Sequence, residues 1–204
     1  MSAITISRQM GSQGNELALD IAQQLGWQLV EHKLINQAAV AAGVPHVALA
    51  DIDELGLLNL RPSAREWEAY KNHVEGIIQA WAYKGEVVIV GRGGQMALRG
   101  WPDVFHLRVV APFEMRVAHL EQKEKISAES ARARLEASAK ARARYLRRSY
   151  GVQLDDPTLY HLMINTGLLG LPLAVKIAIQ VFQTWNEASQ GNAGNGLKID
   201  SRPE

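Results

Sequence analysis

An α/β fold built on a five-stranded parallel sheet is what this sequence predicts, and three features carry the prediction. Five short apolar segments recur along the chain: Ala3–Ser7, Trp27–Val30, Glu86–Val90, Val104–Val110 and Tyr160–Asn165. Segments with a helical period separate them, the arrangement of a parallel sheet covered by helices on both faces. A glycine-containing loop follows the first strand and opens a helix, and ligands of such sheets sit beyond the carboxyl ends of the strands.

The elements follow in order. Ala3–Ser7 (AITIS) is short, rich in β-branched residues and followed by glycines, so it reads as a buried strand. Arg8–Asn15 (RQMGSQGN) is a loop. From Glu16 onward, Leu17, Ala18, Ile21, Ala22 and Leu25 keep a helical period that Gly26 stops. Trp27–Val30 is the second strand, and His32–Ala42 a helix closed by Gly43 and Pro45. Residues 44–64 lack a period, and Asp51, Asp53, Glu54 and the Arg61-Pro62 pair predict a loop-rich insertion. Residues 64–83 form a long helix carrying Trp67, Tyr70, Val74, Ile77, Ile78 and Trp81, ended by Gly85. Glu86–Val90 (EVVIV) is the clearest buried strand, and a tight Gly91-Arg92-Gly93-Gly94 turn follows. After Val104–Val110 (VFHLRVV), Pro112 starts the next helix. Helices run over 113–123 and 127–149, with Ser127 as N-cap of the second. Tyr160–Asn165 is the last strand and Pro172–Ala188 a closing amphipathic helix. Residues 1–188 form one domain, and the polar, Gly-rich 189–204 predicts a flexible tail.

Composition narrows the function. A chain of 204 residues, 47% hydrophobic and 21% charged, fits one globular domain. Lys+Arg number 22 against 21 Asp+Glu, and a net charge of +1 gives no global drive toward nucleic acid or anionic membrane. The absence of cysteine excludes disulfides, thiolate metal sites and a cysteine nucleophile. No leader pattern opens the chain and no apolar run approaches the ~20 residues of a membrane span, so a cytoplasmic location is expected. The six histidines (32, 46, 73, 106, 119, 161) lack HxxxH or HxxEH spacing, so no protein-bound transition metal is expected. His106 and His161 read as packed or sheet-end residues. A homodimer stays open.

The loop after the first strand carries the chemistry. Glycines let a backbone approach an anion, and a helix N-terminus offers free N–H groups and the positive end of a dipole. The GxxxxGK[ST] pattern is incomplete: Asn15 follows Gly14, and residues 1–32 contain no lysine. Taken alone, strand–GSQG–helix is weak evidence for a phosphate cradle, because a tight structural turn has the same pattern.

The wider sequence adds a resemblance. ITISRQMGSQGNELALDIAQQLG is similar to the opening of the cytidylate kinase-like family, whose members read ISRQ-x-GSGG-x-E-IA. VVIVGRGGQMALRGWPDVFHLRVVAP, RARYLRRSYG and DDPTLYHLMINTG agree in the same order, and the blocks together span residues 3 to about 180. The resemblance implies a P-loop kinase-like three-layer sandwich with a helical insertion near 37–83 and a lid near 120–150. It implies phosphoryl transfer from ATP, with Mg2+ held mainly through phosphates, to a CMP-like nucleoside monophosphate or related small acceptor. Such a reaction asks mainly for positioning and charge neutralisation.

On that resemblance Gly11, Ser12, Gln13, Gly14 and Asn15 bind the ATP phosphates through main-chain N–H groups, and Ser12 or Ser7 reaches Mg2+. Relatives carry glycine where Gln13 stands and often arginine where Asn15 stands. Arg8 supplies the missing cation or is a plain surface arginine. Glu31, where relatives carry aspartate, orients an acceptor hydroxyl or hydrated Mg2+, or is a helix N-terminal carboxylate. Arg92 faces the acceptor phosphate, a reading favoured over an exposed turn arginine because the flanking glycines permit a tight, ligand-facing turn. Arg116 lies near the donor adenine or makes a surface salt bridge. In the 128–150 helix, Arg132, Arg134, Lys140, Arg142, Arg144, Arg147 and Arg148 outnumber Glu129 and Glu136, and Arg144, Arg147 and Arg148 lie a turn apart on one side. Arg142 matches the lid arginine that closes over the transferring phosphate, a role suited to a planar guanidinium. Ala139 stands where relatives carry aspartate. The expected catalytic set is therefore Arg92, Arg142 and Arg8. Without the loop lysine, a non-catalytic nucleotide-binding or regulatory protein on the same fold is the alternative. A nucleic-acid module using the basic helix is disfavoured by the near-neutral net charge and the lack of an aromatic stacking patch.

Overall fold

Every predicted strand forms in the computed structural model, which describes residues 2–41 and 63–193. In chain order the elements are β1 (Ala3–Arg8), α1 (Gly14–Leu25), β2 (Gln28–Glu31), α2 (His32–Ala41), α3 (Ala64–Lys84), β3 (Val87–Val90), α4 (Gly94–Ala97), β4 (Val104–Val110), α5 (Phe113–Glu124), α6 (Ala128–Tyr150), β5 (Leu162–Asn165), α7 (Thr166–Leu169) and α8 (Leu171–Ala193). The sheet order is β2-β3-β1-β4-β5 and all four pairings are parallel. β1 is central, between β3 and β4, as its apolar character and its position before the loop predict.

The period of two along each strand divides the core into two layers. Ala3, Val87, Ile89 and Val104 face Ile35, Tyr70, Val74, Ile78 and Leu146 from α2, α3 and α6. Ile4, Ile6, Val88, Phe105 and Leu107 face Leu17, Ile21, Val175 and Phe182 from α1 and α8. Because both faces are covered, the strands read as continuous apolar runs. Trp67, 5% exposed, belongs to the first layer. A third cluster, Val117, Leu120, Ala131 and Leu135, joins α5 to α6.

Local chemistry sets the helix ends. Ser63 opens α3 with a capping box: its hydroxyl accepts from Glu66 N at 3.2 Å, and its own N–H donates to the Glu66 carboxylate at 2.8 Å. Ser127 caps α6, as predicted, accepting from Ser130 N at 3.2 Å. Two one-turn helices, α4 and α7, stand where the sequence offers only turn signals, and Asn165 caps α7 through its side chain. The closing helix is a correction: α8 runs on through Ala193, past the expected end at Ala188 and into the stretch expected to be a flexible tail. One glycine, Gly191, costs a helix about 1 kcal/mol but does not by itself end it. Gly43, Pro45, the loop-rich stretch 44–62 and residues 194–204 lie outside the described residues.

The basic helix α6 is partly neutralised by its neighbours. Arg132 makes a two-pronged pair with Glu114 at 2.6 and 2.5 Å, Arg134 pairs with Glu124, and the Arg148 guanidinium lies 4.1 Å from the Trp67 ring centre. Arg144, Arg147 and Arg148 are exposed, so the outward face of α6 is a solvated charge face. Among the described residues, no helix is long and apolar enough to cross a membrane.

Candidate functional site

A polar strip interrupts the first core layer and leads to the carboxyl ends of the strands. The β1–β4 register sets Thr5 beside His106 and Ser7 beside Arg108. Thr5 Oγ1 and His106 Nδ1 are 2.8 Å apart, and the His106 main-chain N–H donates to His161 Nδ1 at 2.9 Å. Burial, with His161 nearby, lowers the His106 pKa to about 4. His106 is thus a packed, neutral residue of the sheet, whereas His161 is exposed just before the last strand. Arg108 is 1% exposed; it donates to Ser7 Oγ at 2.9 Å and to the Asp155 carboxylate, and lies 5.6 Å from the Tyr160 ring centre. Its Nε is buried without a hydrogen-bond partner.

Beyond Ser7 the chain turns into the loop. Gly11 and Gln13 take left-handed backbone conformations, with φ of 77° and 56°. A Cβ at Gly14 would lie 2.4 Å from Arg8 Cβ, and one at Gly11 would lie 2.7 Å from the Arg116 carbonyl oxygen. Both positions therefore require glycine. Gln13 is the N-cap of α1 and makes no side-chain cap, so its side chain does not compete with another acceptor for the first-turn N–H groups. A cleft of about 320 Å³ runs along this loop, lined among others by Gly11, Gln13, Gly14, Asn15, Lys33 and Arg142.

The three arginines of the expected catalytic set meet in an adjoining cleft, which Arg8, Arg92 and Arg142 line together. Arg8 is 7% exposed, which removes the surface-arginine reading. Its Nε donates to Asn15 Oδ1 at 2.8 Å, and its Nη2 lies 3.2 Å from His32 Nδ1. Arg142 donates to the Arg8 main-chain carbonyl, tying α6 to the end of β1. Arg92, also in the left-handed region at φ 53°, donates from Nε to Asn36 Oδ1 at 2.9 Å, and its carbonyl accepts from Tyr145 at 3.2 Å. Burial pushes the Tyr145 phenol far above its usual pKa, so it remains a donor.

A family comparison can be set on this geometry. The model of the cytidylate kinase-like family matches residues 3–168. The chain belongs to that family. A cytidylate kinase from Ignicoccus hospitalis is 25% identical over 170 residues, covering 83% of this chain and 92% of that protein. Among solved structures, an uncharacterized protein from Eubacterium ventriosum superposes with a TM-score of 0.71 at 18% identity, covering 90% of this chain and 99% of that one. A gluconokinase from Sinorhizobium meliloti gives 0.55 at 13% identity, covering 94% and 97%. The likeness to the gluconokinase is one of fold, the α/β sandwich of P-loop kinases. Family and fold together are those of nucleotide and small-molecule phosphotransferases.

Against this cytidylate kinase-like frame the expected residues separate. Gly11, Gln13, Gly14 and Asn15 surround the loop cleft, but Ser12 turns away from it. Ser12 is 1% exposed and donates to the Gln9 carbonyl at 2.8 Å. Ser7 accepts from Arg108, a cation unsuited to share a divalent ion's ligand. Ser12 is thus committed inward, whereas Ser7 also lines the cleft of the three arginines. Glu31 closes β2 directly before α2 and is not among the residues that line the loop cleft or the arginine cleft. Arg116 makes no surface ion pair among the described residues; its Nε donates to the Ala111 carbonyl at 3.0 Å and its guanidinium lies 5.2 Å from the Phe113 ring centre. Burial, then Arg142, pushes its pKa below the usual arginine value.

Sequence reasoning missed Lys33, Arg108 and Asp155. Lys33 reaches the loop cleft from α2, well outside the segment where a loop lysine is sought. Lys123 reaches it from α5 but is bound to Glu16 in the first turn of α1. Burial alone would raise the Glu16 pKa; its bonds to Lys123 and to its own main chain outweigh that and hold the carboxyl below its usual range.

Proposed function

We propose that the protein transfers the terminal phosphoryl group of ATP to a nucleoside monophosphate, of CMP type or a closely related small acceptor. The observation that carries this reading is the meeting of Arg8, Arg92 and Arg142 in one cleft beside a glycine loop whose first-turn N–H groups have no side-chain cap at Gln13. ATP with Mg2+ supplies the reactive phosphoryl group and part of the charge neutralisation. The residues fit such a ligand through its phosphates: the N–H groups of residues 11–15 hold the donor phosphates, with Lys33 entering from α2. Mg2+ is carried mainly by the phosphates, since Ser12 Oγ donates to the Gln9 carbonyl and Ser7 Oγ accepts from Arg108.

Arg142 stands over the transferring group in place of the loop lysine, Arg92 holds the acceptor phosphate, and Arg8, oriented by Asn15, completes the charge between them. An arginine in this role is worth about three to five decades in rate. Residues 120–150 act as the lid that brings Arg142 in, and 37–83 as the acceptor-binding insertion.

The test is a thermal-shift screen of nucleotides with Mg2+, followed by a transfer assay with nucleoside monophosphates on the hits. Stabilisation by ATP, lost in a folded Gly14→Val variant, together with transfer, is the expected result. Stabilisation without transfer to any nucleoside monophosphate would replace the enzyme reading with a regulatory one.

A further inference from the structure

Behind the loop cleft lies a smaller cavity of about 60 Å³, lined by Arg8, Arg108, Arg116, Arg142, Ala139 and Asp155 among others. It has room for a few waters or one tetrahedral oxyanion, and is too small for a nucleotide. Arg8, Arg108, Arg116 and Arg142, from β1, β4, α5 and α6, line it, and among the described residues Asp155 is the one acidic residue that does. Buried cations require anionic or hydrogen-bonding partners. Arg108 is fully buried and keeps one donor, Nε, without any. The carboxylate that reaches Arg108 comes from a side chain 79% exposed, on the link between α6 and β5. A partner so well solvated is screened and holds weakly. Like charges also crowd the cavity: Arg116 is disfavoured as a cation by burial and by Arg142, with Asp155 acting the other way.

We propose that this cavity is a binding site for a phosphate-type dianion, and that Asp155 occupies it in the ligand-free chain as a displaceable internal carboxylate. A tetrahedral dianion offers more charge and more acceptor oxygens to Arg108, Arg116 and Arg142 than a single carboxylate, and bidentate contacts favour it. Asp155 belongs to the segment that follows α6, so its displacement is felt at the helix that carries Arg142. The phosphate comes either from free inorganic phosphate or from the end of a bound nucleotide. Only the second source rests on the phosphotransferase reading.

Isothermal titration with inorganic phosphate, at fixed ionic strength and without nucleotide, tests the site. Relative to wild type, Asp155→Asn should bind phosphate roughly three- to tenfold more tightly, because the competing charge is gone. Arg116→Gln, a half-buried helix position, should bind it more weakly by a similar factor. Equal or weaker binding by Asp155→Asn, unchanged affinity in Arg116→Gln, or no binding by wild type and Asp155→Asn at millimolar phosphate would each overturn the proposal. Arg116→Gln against wild type decides the matter even if Asp155→Asn does not fold. Repeating the titration with ATP present separates the sources: competition identifies the nucleotide's phosphate, and independent binding identifies free phosphate. Failure of phosphoryl transfer would leave the phosphate result standing, and the reverse also holds.

Discussion

In the proposed reaction, residues 11–15 and the arginine wall would meet the same ligand charge with different groups. The loop offers main-chain N–H groups fixed by left-handed turns at Gly11 and Gln13, so little side-chain entropy is lost when a phosphate arrives. Its side chains add little positive charge, since Asn15 is neutral and Glu16 takes up Lys123. The wall offers full charges on long side chains whose partners include Asn15 and His32 for Arg8, Asn36 for Arg92 and the Arg8 carbonyl for Arg142. The loop is thus preorganised by backbone, and the wall by contacts between elements far apart in sequence. A lysine in the loop is dispensable only if α6 delivers its charge from the other side.

Removing that delivery is the most severe test of the difference. Arg142→Ala should lower turnover by about three decades while ATP binding changes little, because the contact matters chiefly when charge develops on the transferring group. Arg142→Lys should recover only a small part, since a point charge lacks the planar fork. Steady-state kinetics beside nucleotide titration checks both. Full turnover in Arg142→Ala would return the burden to the loop.

The strip beneath the wall should respond to pH. A base whose folded pKa is depressed takes its proton later than it does in the unfolded chain. Between about pH 6.5 and about pH 4 the unfolded state therefore binds more protons at His106, and stability falls as pH drops through that window. His106 accounts for up to about 3 kcal/mol of the loss. Denaturant melts of wild type and His106→Gln across that range should show a flatter pH dependence in the variant; parallel curves would count against a neutral buried His106.

Arg92→Ala should raise the acceptor KM by roughly ten- to thirtyfold with a smaller change in kcat, the pattern of lost ground-state phosphate binding. A fall in kcat alone would assign Arg92 to the donor side with Arg142. At the small end, Arg132→Ala should leave the melting temperature unchanged at physiological salt, because its pair with Glu114 is exposed and screened. A clear drop would mean that the outer charges of α6 help to hold the wall.

What the sequence determined is what short-range pattern encodes. VVIV is apolar at every buried position and AITIS is short, β-branched and apolar on one face, so their place in the sheet centre follows from composition, while the buried Thr5 and Ser7 belong to the polar strip. Gly26 and Ser127 end and begin helices through groups within a turn of themselves. The glycine loop at the end of β1 and the ordered family blocks likewise lie in plain order along the chain. Arg108 shows where this legibility stops. In VFHLRVV it alternates with Leu107 and Val109, and nothing adjacent in sequence marks it as buried; its partners Ser7 and Asp155 stand 101 and 47 positions away. Arg142 reaches a carbonyl 134 positions away, and Lys33 enters the cleft only because α2 starts beside it. Which cations share a site was decided by sheet register and helix placement, because electrostatic interaction depends on distance in space and sequence separation does not fix that distance.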